Sequence, residues 1–445
     1  MAEVFPSTPQ APGLPETLAT IAKWRNAPVP LTEEDFGGAI QELDAIVDHL
    51  SGKPDAPSRS ALALARMVLG NLHRDHGMPD HAMPFYDAIL ENPDDLAGSG
   101  PHGKSDLADI HNHRGLCVMS RGGRESLDAA MADINRAIEL RRELPLEQEE
   151  SYRWGLANTL INRGDLLHRQ GEHDSEARSD YDEAIAELRQ LPYQENPVAL
   201  QRLALAIANR GLVAVDHDEA RRCFDECIAM LAEPQHPGQL LTLCTALLNR
   251  GRHSLQVADD TEATATDARR VLGLLGSHEK NHPAPAEVSL QARHLLAHAL
   301  CTWLDESRKG PGSADDWVSD ATDTLEEGLA LERFWEQQGF DGLRPLACEL
   351  FKLGLHVYRV RQPHFFAEFL VESMDPEMSP GAPFSDPRFQ AAAGSALQQA
   401  VNDAAGRASA AAEDPIAAAK QAKVLQSLRA ADQRLAGIQQ ALAAG

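Results

Sequence analysis

With 43% hydrophobic and 24% charged residues, a chain of 445 residues has apolar mass enough to fold and too much length for one compact core, so several domains or a repeating stack are expected. Its 67 acidic side chains against 41 basic ones leave a formal charge of −26, which repels nucleic-acid phosphate and anionic lipid and argues against both as partners. Sparse aromatics favour helix over sheet, no stretch approaches the roughly 20 apolar residues of a membrane span, and Met1 to Gln10 lacks a basic-then-apolar leader; with six cysteines and no CxxC pair, a cytoplasmic protein with reduced thiols is expected.

Residues 1–30 carry Pro6, Pro9, Pro12, Pro15, Pro28 and Pro30 and read as a flexible N-terminal arm. Segment 31–105 reads as one helix and a first helical hairpin. Thr32 is the expected N-cap ahead of Glu33 and Glu34, and Phe36, Ile40, Leu43, Ile46 and Val47 form an apolar stripe. The hairpin runs through Met67 and Leu69 to Gly70, turns at Gly77 and Pro79, and returns through Ala82, Tyr86 and Ile89. Gly98, Gly100, Pro101 and Gly103 predict an exposed loop over 94–105.

Over 106–280 one motif recurs inside an apolar helical pattern: Asn162-Arg163-Gly164, Asn209-Arg210-Gly211, Asn249-Arg250-Gly251 and the looser Asn112-His113-Arg114-Gly115. A second turn signal divides each unit, at Gly122-Gly123, Gly171 and Asp216-His217-Asp218. Small, bulky and small residues follow it on one helical face: Ala130, Ile134, Ala137; Ala177, Tyr181, Ala184; Ala220, Phe224, Cys227. One hairpin cannot bury its apolar face alone, so such units stack. These units resemble tetratricopeptide repeats, in which the same small-and-bulky signature occurs, and Asn-Arg-Gly resembles a form frequent in bacterial members. The resemblance covers about residues 60–275 and implies an all-α, right-handed α-solenoid of stacked antiparallel helix hairpins.

Degenerate helical repeats are expected over 281–374, with Leu290, Leu295, Leu296, Leu300 and Leu304 in one helix, Trp317, Leu325, Leu329 and Phe334 in the next after a turn at Gly310-Pro311-Gly312, and a further helix pair turning at Pro363. Four prolines mark 375–387 as a linker, and 388–445 reads as an alanine-rich helical tail broken near Pro415. In that tail Val424, Leu428, Ala431, Leu435, Ile438 and Leu442 form a short seam of coiled-coil spacing. It fits a cap on the stack, self-association with a second copy, or occupancy of the groove.

In the fold the resemblance implies, the first helix of each hairpin lines a concave groove. Asn112, Asn158, Asn162, Asn209 and Asn249 would then present amides to the backbone of an extended peptide. The alternative is that the amides bond one another and stiffen the stack. Arg114, Arg163, Arg210 and Arg250 would reach a charged ligand, or else pair with acids on a neighbouring helix, for which Asp180, Asp182 and Asp225 are candidates. His294 and His298 share a helix face without an HExxH pattern, and Cys223 and Cys227 sit on an apolar face, so both pairs read as packing and no metal is expected. Walker, nucleophile-elbow, dinucleotide and kinase signatures are missing from the sequence, which argues against an enzyme and against a cofactor. The sequence therefore points to a non-catalytic scaffold or adaptor that binds a peptide segment or protein partner, with a basic partner complementing the acidic excess. A second reading is a peptide- or ligand-sensing regulator controlling an effector on another chain.

Overall fold

The computed structural model describes residues 13–27, 31–171, 173–306, 314–361, 387–411 and 414–444, and all regular structure among them is helical. The chain divides into two compact units, Met1–Ala214 and Val215–Gly445. The division falls inside the segment that the motif spacing marks as one regular array.

In the first unit, α1 (Leu14–Arg25) occupies ground that the prolines mark as an arm. Pro15 lies in the first helical turn, where its missing N–H leaves no bond unmade, and the Gly13 amide donates to Glu16 Oε2 at 3.0 Å. Thr17, Ile21 and Trp24 are buried, Ile21 and Trp24 in the cluster that α1 shares with α2 (Glu33–Leu50) and α3 (Ala56–Asp75). Proline there starts a helix and does not break one. Residues 1–12 and 28–30 of the expected arm lie outside the described residues. Thr32 caps α2 as expected, its hydroxyl accepting from Asp35 N at 3.1 Å.

Two of the three antiparallel hairpins that follow are α3 with α4 (Pro79–Leu90), and α6 (Pro101–Ser120) with α7 (Arg124–Arg142). The third is α8 (Glu150–Gln170) with α9 (Asp174–Leu188), and α10 (Pro197–Leu212) closes the unit. The loop expected over 94–105 is largely helical. It holds the short α5 (Asp94–Ala97) and the first turn of α6, because Pro101 opens a helix after Gly100 at φ 84°. Leu96 there is buried, and Gly103 packs directly on its carbonyl. Gly171 ends α8 in the left-handed region at φ 81°, as its place in the turn signal requires. The first helices α3, α6, α8 and α10 lie side by side.

The second unit opens with α11 (His217–Met230) packed on α12 (Pro237–Ala258), which forms a hairpin with α13 (Thr261–Leu275). Asp216, expected in a turn, caps α11 by accepting from Glu219 N at 2.8 Å. Next come α14 (Pro283–Glu306), α15 (Ala314–Gln337) and α16 (Arg344–Arg361). The tail is the hairpin α17 (Pro387–Ala410) and α18 (Pro415–Ala444), with its break at Pro415 where the sequence places it. Val424, Leu428, Ala431 and Leu435 of the apolar seam are buried in one core with Leu397 and Ala400 of α17 and Leu350 and Phe351 of α16. These four seam positions are thus covered within the chain, as a capping helix requires. Residues 375–386 of the proline-rich linker and the expected turns at Gly310-Pro311-Gly312 and Pro363 lie outside the described residues, and Pro387, the last of the linker, opens α17.

Candidate functional site

Each motif residue has a different job, and the glycine closes the hairpin. Tyr181 of α9 sits on Gly164 so closely that a methyl group added there would lie 2.7 Å from its ring; Tyr86 sits on Gly70 in the same way, at 2.6 Å, and Ile134 on Gly115 at 3.0 Å. Tyr86, Tyr181 and Ile134 are among the most deeply buried side chains of their unit. The bulky member of the small-bulky-small signature is therefore a knob whose hole is the glycine of the partner helix.

The arginine ties hairpins to each other. Arg163 donates to both carboxylate oxygens of Asp180 in its own hairpin, at 2.7 and 2.6 Å, and to Asn135 Oδ1 of the preceding one at 3.0 Å. Arg114 repeats this with Asp133 at 2.8 and 2.7 Å and Asp87 at 2.9 Å. Arg250 does so in the second unit with Asp267 at 2.9 and 2.6 Å and Asp225 at 2.5 Å, while Arg210 meets Asp182 at 2.8 Å. Hydrogen bonds to these acids hold the guanidinium pKa values of Arg114, Arg163 and Arg250 above the ordinary range. Burial alone would raise the Asp133 carboxyl, but hydrogen bonds from His111 and Arg114 override it and leave the group below its usual value. Asp180, Asp182 and Asp225 are thus ion-pair partners, as the pairing alternative has it. The pattern that announces them is an acid or amide beside each knob: Asp133-Ile134-Asn135, Asp180-Tyr181-Asp182, Tyr86-Asp87 and Phe224-Asp225.

The amides form a second inter-hairpin system. Asn209 Nδ2 donates to Asp165 Oδ1 at 2.8 Å, and the same oxygen accepts from Tyr181 Oη at 2.6 Å. Two hairpins earlier, Asn71 Oδ1 meets His113 Nδ1 and accepts from Tyr86 Oη, both at 2.9 Å. His113, two residues before its glycine, therefore stands where Asn162 and Asn209 stand, and Asn112 is one position out of register. The residue after Gly115 is Leu116, which offers no acceptor, so Asn162 Nδ2 reaches Asn112 Oδ1 at 2.9 Å, and Asn112 is only 5% exposed. Asn158 accepts from Arg202 Nε, and in the second unit Asn249 accepts from Arg252 Nη1 at 3.0 Å. Asn71, Asp165, Arg202 and Arg252 are the residues that motif reading misses. They fall outside Asn-Arg-Gly; Asn71, Asp165 and Arg252 each stand directly after a glycine, and Arg202 carries no such mark. Burial raises the Asp165 carboxyl above its ordinary value despite the Tyr181 and Asn209 bonds, and it drives the His113 imidazole down, which keeps it neutral.

No protein-family model matches the sequence, and no curated protein matches it. Solved structures do. The crystal structure of the apo form of RapI is 10% identical over 94% of this chain and 96% of its own, with a TM-score of 0.50. A Rap protein complexed with Competence and Sporulation Factor is 12% identical over 96% and 99%, with a TM-score of 0.42. BtubC from P. vanneervenii is 20% identical over 59% and 91%, with a TM-score of 0.38. The chain is a tetratricopeptide-like helical-repeat protein. At these identities the likeness is one of fold.

Elsewhere in this repeat protein, the rings of His294 and His298 are tilted by 35° with centroids 6.4 Å apart, and Cys227 is fully buried at a knob-side position. Among the described residues no group of three His, Cys, Asp or Glu side chains is placed to hold a metal. The chemistry on the first-helix face is that of fixed hydrogen-bond acceptors and held charges.

Proposed function

We propose that this protein is a non-catalytic interaction scaffold that holds an extended segment of a partner protein along the face built by α6, α8 and α10. The observation that carries this is the state of Asn162 and Asn209. Each is half-buried and donates its amide N–H to the hairpin before it, so its orientation is set, and among the described residues neither carbonyl oxygen has a partner. Fixed acceptors on adjacent helices suit backbone N–H donors of an extended chain, which any sequence supplies. Helices packed about 8–10 Å apart present one such acceptor for every three or so extended residues, at about 3.3 Å per residue. Two such bonds contribute only about 1–3 kcal/mol, so side-chain contacts must provide most of the affinity. The motif arginines support a structural and not a catalytic reading, because their guanidinium groups are engaged by the acids around the knobs.

Site-specific photocrosslinking tests the reading. A photoreactive residue at Leu205, on α10, should capture a partner from the source cell as a discrete adduct, and one at Glu183, on α9, should not. Adducts from Glu183 with none from Leu205 would place the partner on the second-helix side and end the proposal.

A further inference from the structure

The first unit also indicates what the bound segment carries. In a chain with formal charge −26, Arg114, Arg141, Arg153 and Arg163 each reach a carboxylate. Arg178 has the Val213 carbonyl. Arg202 on α10 has neither. It is half-buried, its Nε donates to Asn158 Oδ1 on α8, and among the described residues no carboxylate lies within ion-pairing distance of it. Burial lowers its pKa, with the more distant Asp165 charge opposing, and a guanidinium stays charged throughout the physiological range. A half-buried cation held only by an amide oxygen is poorly compensated, and an incoming carboxylate would form charge-assisted hydrogen bonds with its remaining N–H groups.

One helical turn away on both helices lies a cavity of about 270 Å³ between Trp154, Leu191, Pro192, Val198 and Ala199. Val198 is 56% exposed and Trp154 half-buried, so the apolar part of the lining is accessible, and Ser151 and Asn196 complete it. Glu150 at its rim would repel a carboxylate from the cavity itself. Trp154 and Asn158, like Val198 and Arg202, are four residues apart, which separates cavity and guanidinium by about 6 Å along the helices. A segment that turns along the helix axes at this step covers that distance in about two extended residues, and side chains two apart point the same way.

We propose that this part of the first unit selects an extended segment with an apolar side chain two residues from a carboxylate, the apolar group in the Trp154–Val198 cavity and the carboxylate on Arg202. The inference rests on the reading of the first-helix face as the binding surface. It makes Asn158 a positioning residue, aiming the guanidinium and not touching the peptide backbone. The partner is therefore locally acidic although the protein is acidic overall.

The test uses the full chain and an array of short capped peptides in a serine background. Leucine and aspartate are placed one to four residues apart, with asparagine or lysine replacing aspartate in matched peptides. Peptides with leucine and aspartate two apart should bind about tenfold more tightly than the asparagine counterparts. Because salt screens the long-range repulsion from the acidic surface more than the close pair, that preference should persist or grow as salt is raised. Arg202→Gln should erase the acid preference with an unchanged melting temperature, Arg202→Lys should restore part of it, and Trp154→Ala should remove the leucine preference. Lysine peptides binding best, or an acid preference surviving Arg202→Gln, would overturn this inference. Neutral peptides binding as well as acidic ones would overturn it and leave the face reading intact, whereas no binding of any peptide would overturn both.

Discussion

Replacing Arg163 by alanine tests whether the middle residue of the motif holds the hairpins together. The guanidinium makes two bonds to Asp180, at 2.7 and 2.6 Å, and one to Asn135 at 3.0 Å. The Asp180 side chain is 5% exposed and that of Arg163 22%. Truncation leaves a buried carboxylate without its cation, a loss of about 3–5 kcal/mol where no water enters. The partial exposure of the arginine lets water reach the vacated space, so a value near 3 kcal/mol is expected. For a cooperative unit of about two hundred residues that lowers the midpoint by roughly 6–12 °C. Arg121→Ala is the matched control, because its pair with Asp80 is 48% and 73% exposed. Such a pair contributes at most about 1 kcal/mol. Scanning calorimetry of the full chain, following the transition of the first unit, would compare them. The double variant Arg163→Met with Asp180→Leu should recover most of the loss, since an apolar pair needs no mutual neutralisation. If Arg163→Ala and Arg121→Ala melt together, or the double variant is no better than the single, the structural role assigned to this arginine is wrong.

Further expectations follow from the same contacts. Asp165→Asn should stabilise the first unit at neutral pH, because asparagine accepts the Tyr181 and Asn209 bonds without placing a charge out of water, as Asn71 does in the first hairpin. Burial raises the Asp165 carboxyl, so the folded state holds that proton more tightly than the unfolded chain. The wild type therefore loses stability as pH rises from the unfolded value of about 3.9 through the folded one, and the advantage of the variant should be full above that window and vanish below it; a pH-independent difference in urea titrations would contradict the assignment. Gly155→Ala should destabilise despite the roughly 1 kcal/mol gain in helix propensity, because its methyl would lie 1.9 Å from Arg141 Nη1, and that arginine is fixed by Asp109 at 2.6 Å and Thr159 at 2.9 Å. A raised melting temperature would refute this. Leu428→Asp should lower the melting of the second unit by several degrees, since Leu428 is fully buried, with an unchanged sedimentation coefficient. A shift to a smaller species would instead make the seam an intermolecular contact.

The helical class, the hairpin order and the places of Thr32, Gly171 and Pro415 were legible because each depends on neighbours within one or two turns. The prolines misled where position within a helix matters more than identity. Pro15 and Pro101 lie in first turns, and reading them as breakers hid α1 and the start of α6. The face itself was only half legible. Asparagine at equivalent positions marks a column, but the acceptor its N–H finds lies in the preceding hairpin. For Asn209 that acceptor is Asp165, directly after Gly164, and for Asn162 it is Asn112 and not Leu116, contacts 44 and 50 residues distant in the chain. The arginine partners flank the knobs, so they were visible as a pattern, yet only packing shows that each arginine spans two hairpins.

The division of labour that results has a consequence for recognition. Arginine and glycine recur where hairpins are closed and tied in the same way, and a residue committed to that task cannot distinguish one ligand from another. Discrimination has to come from positions that do not repeat. The residues of the Arg202 corner, Trp154 and Val198 among them, are of this kind, being particular to the α8–α10 step and not supplied by the motif. Arg202 lies near enough to Asp165 to feel its charge, and Asp165 in turn receives Asn209. Neutralising Asp165 would therefore leave Arg202 less compensated and strengthen its attraction for a carboxylate. The repeat sets the spacing at which a segment lies, and the charge balance at one step decides which segment stays.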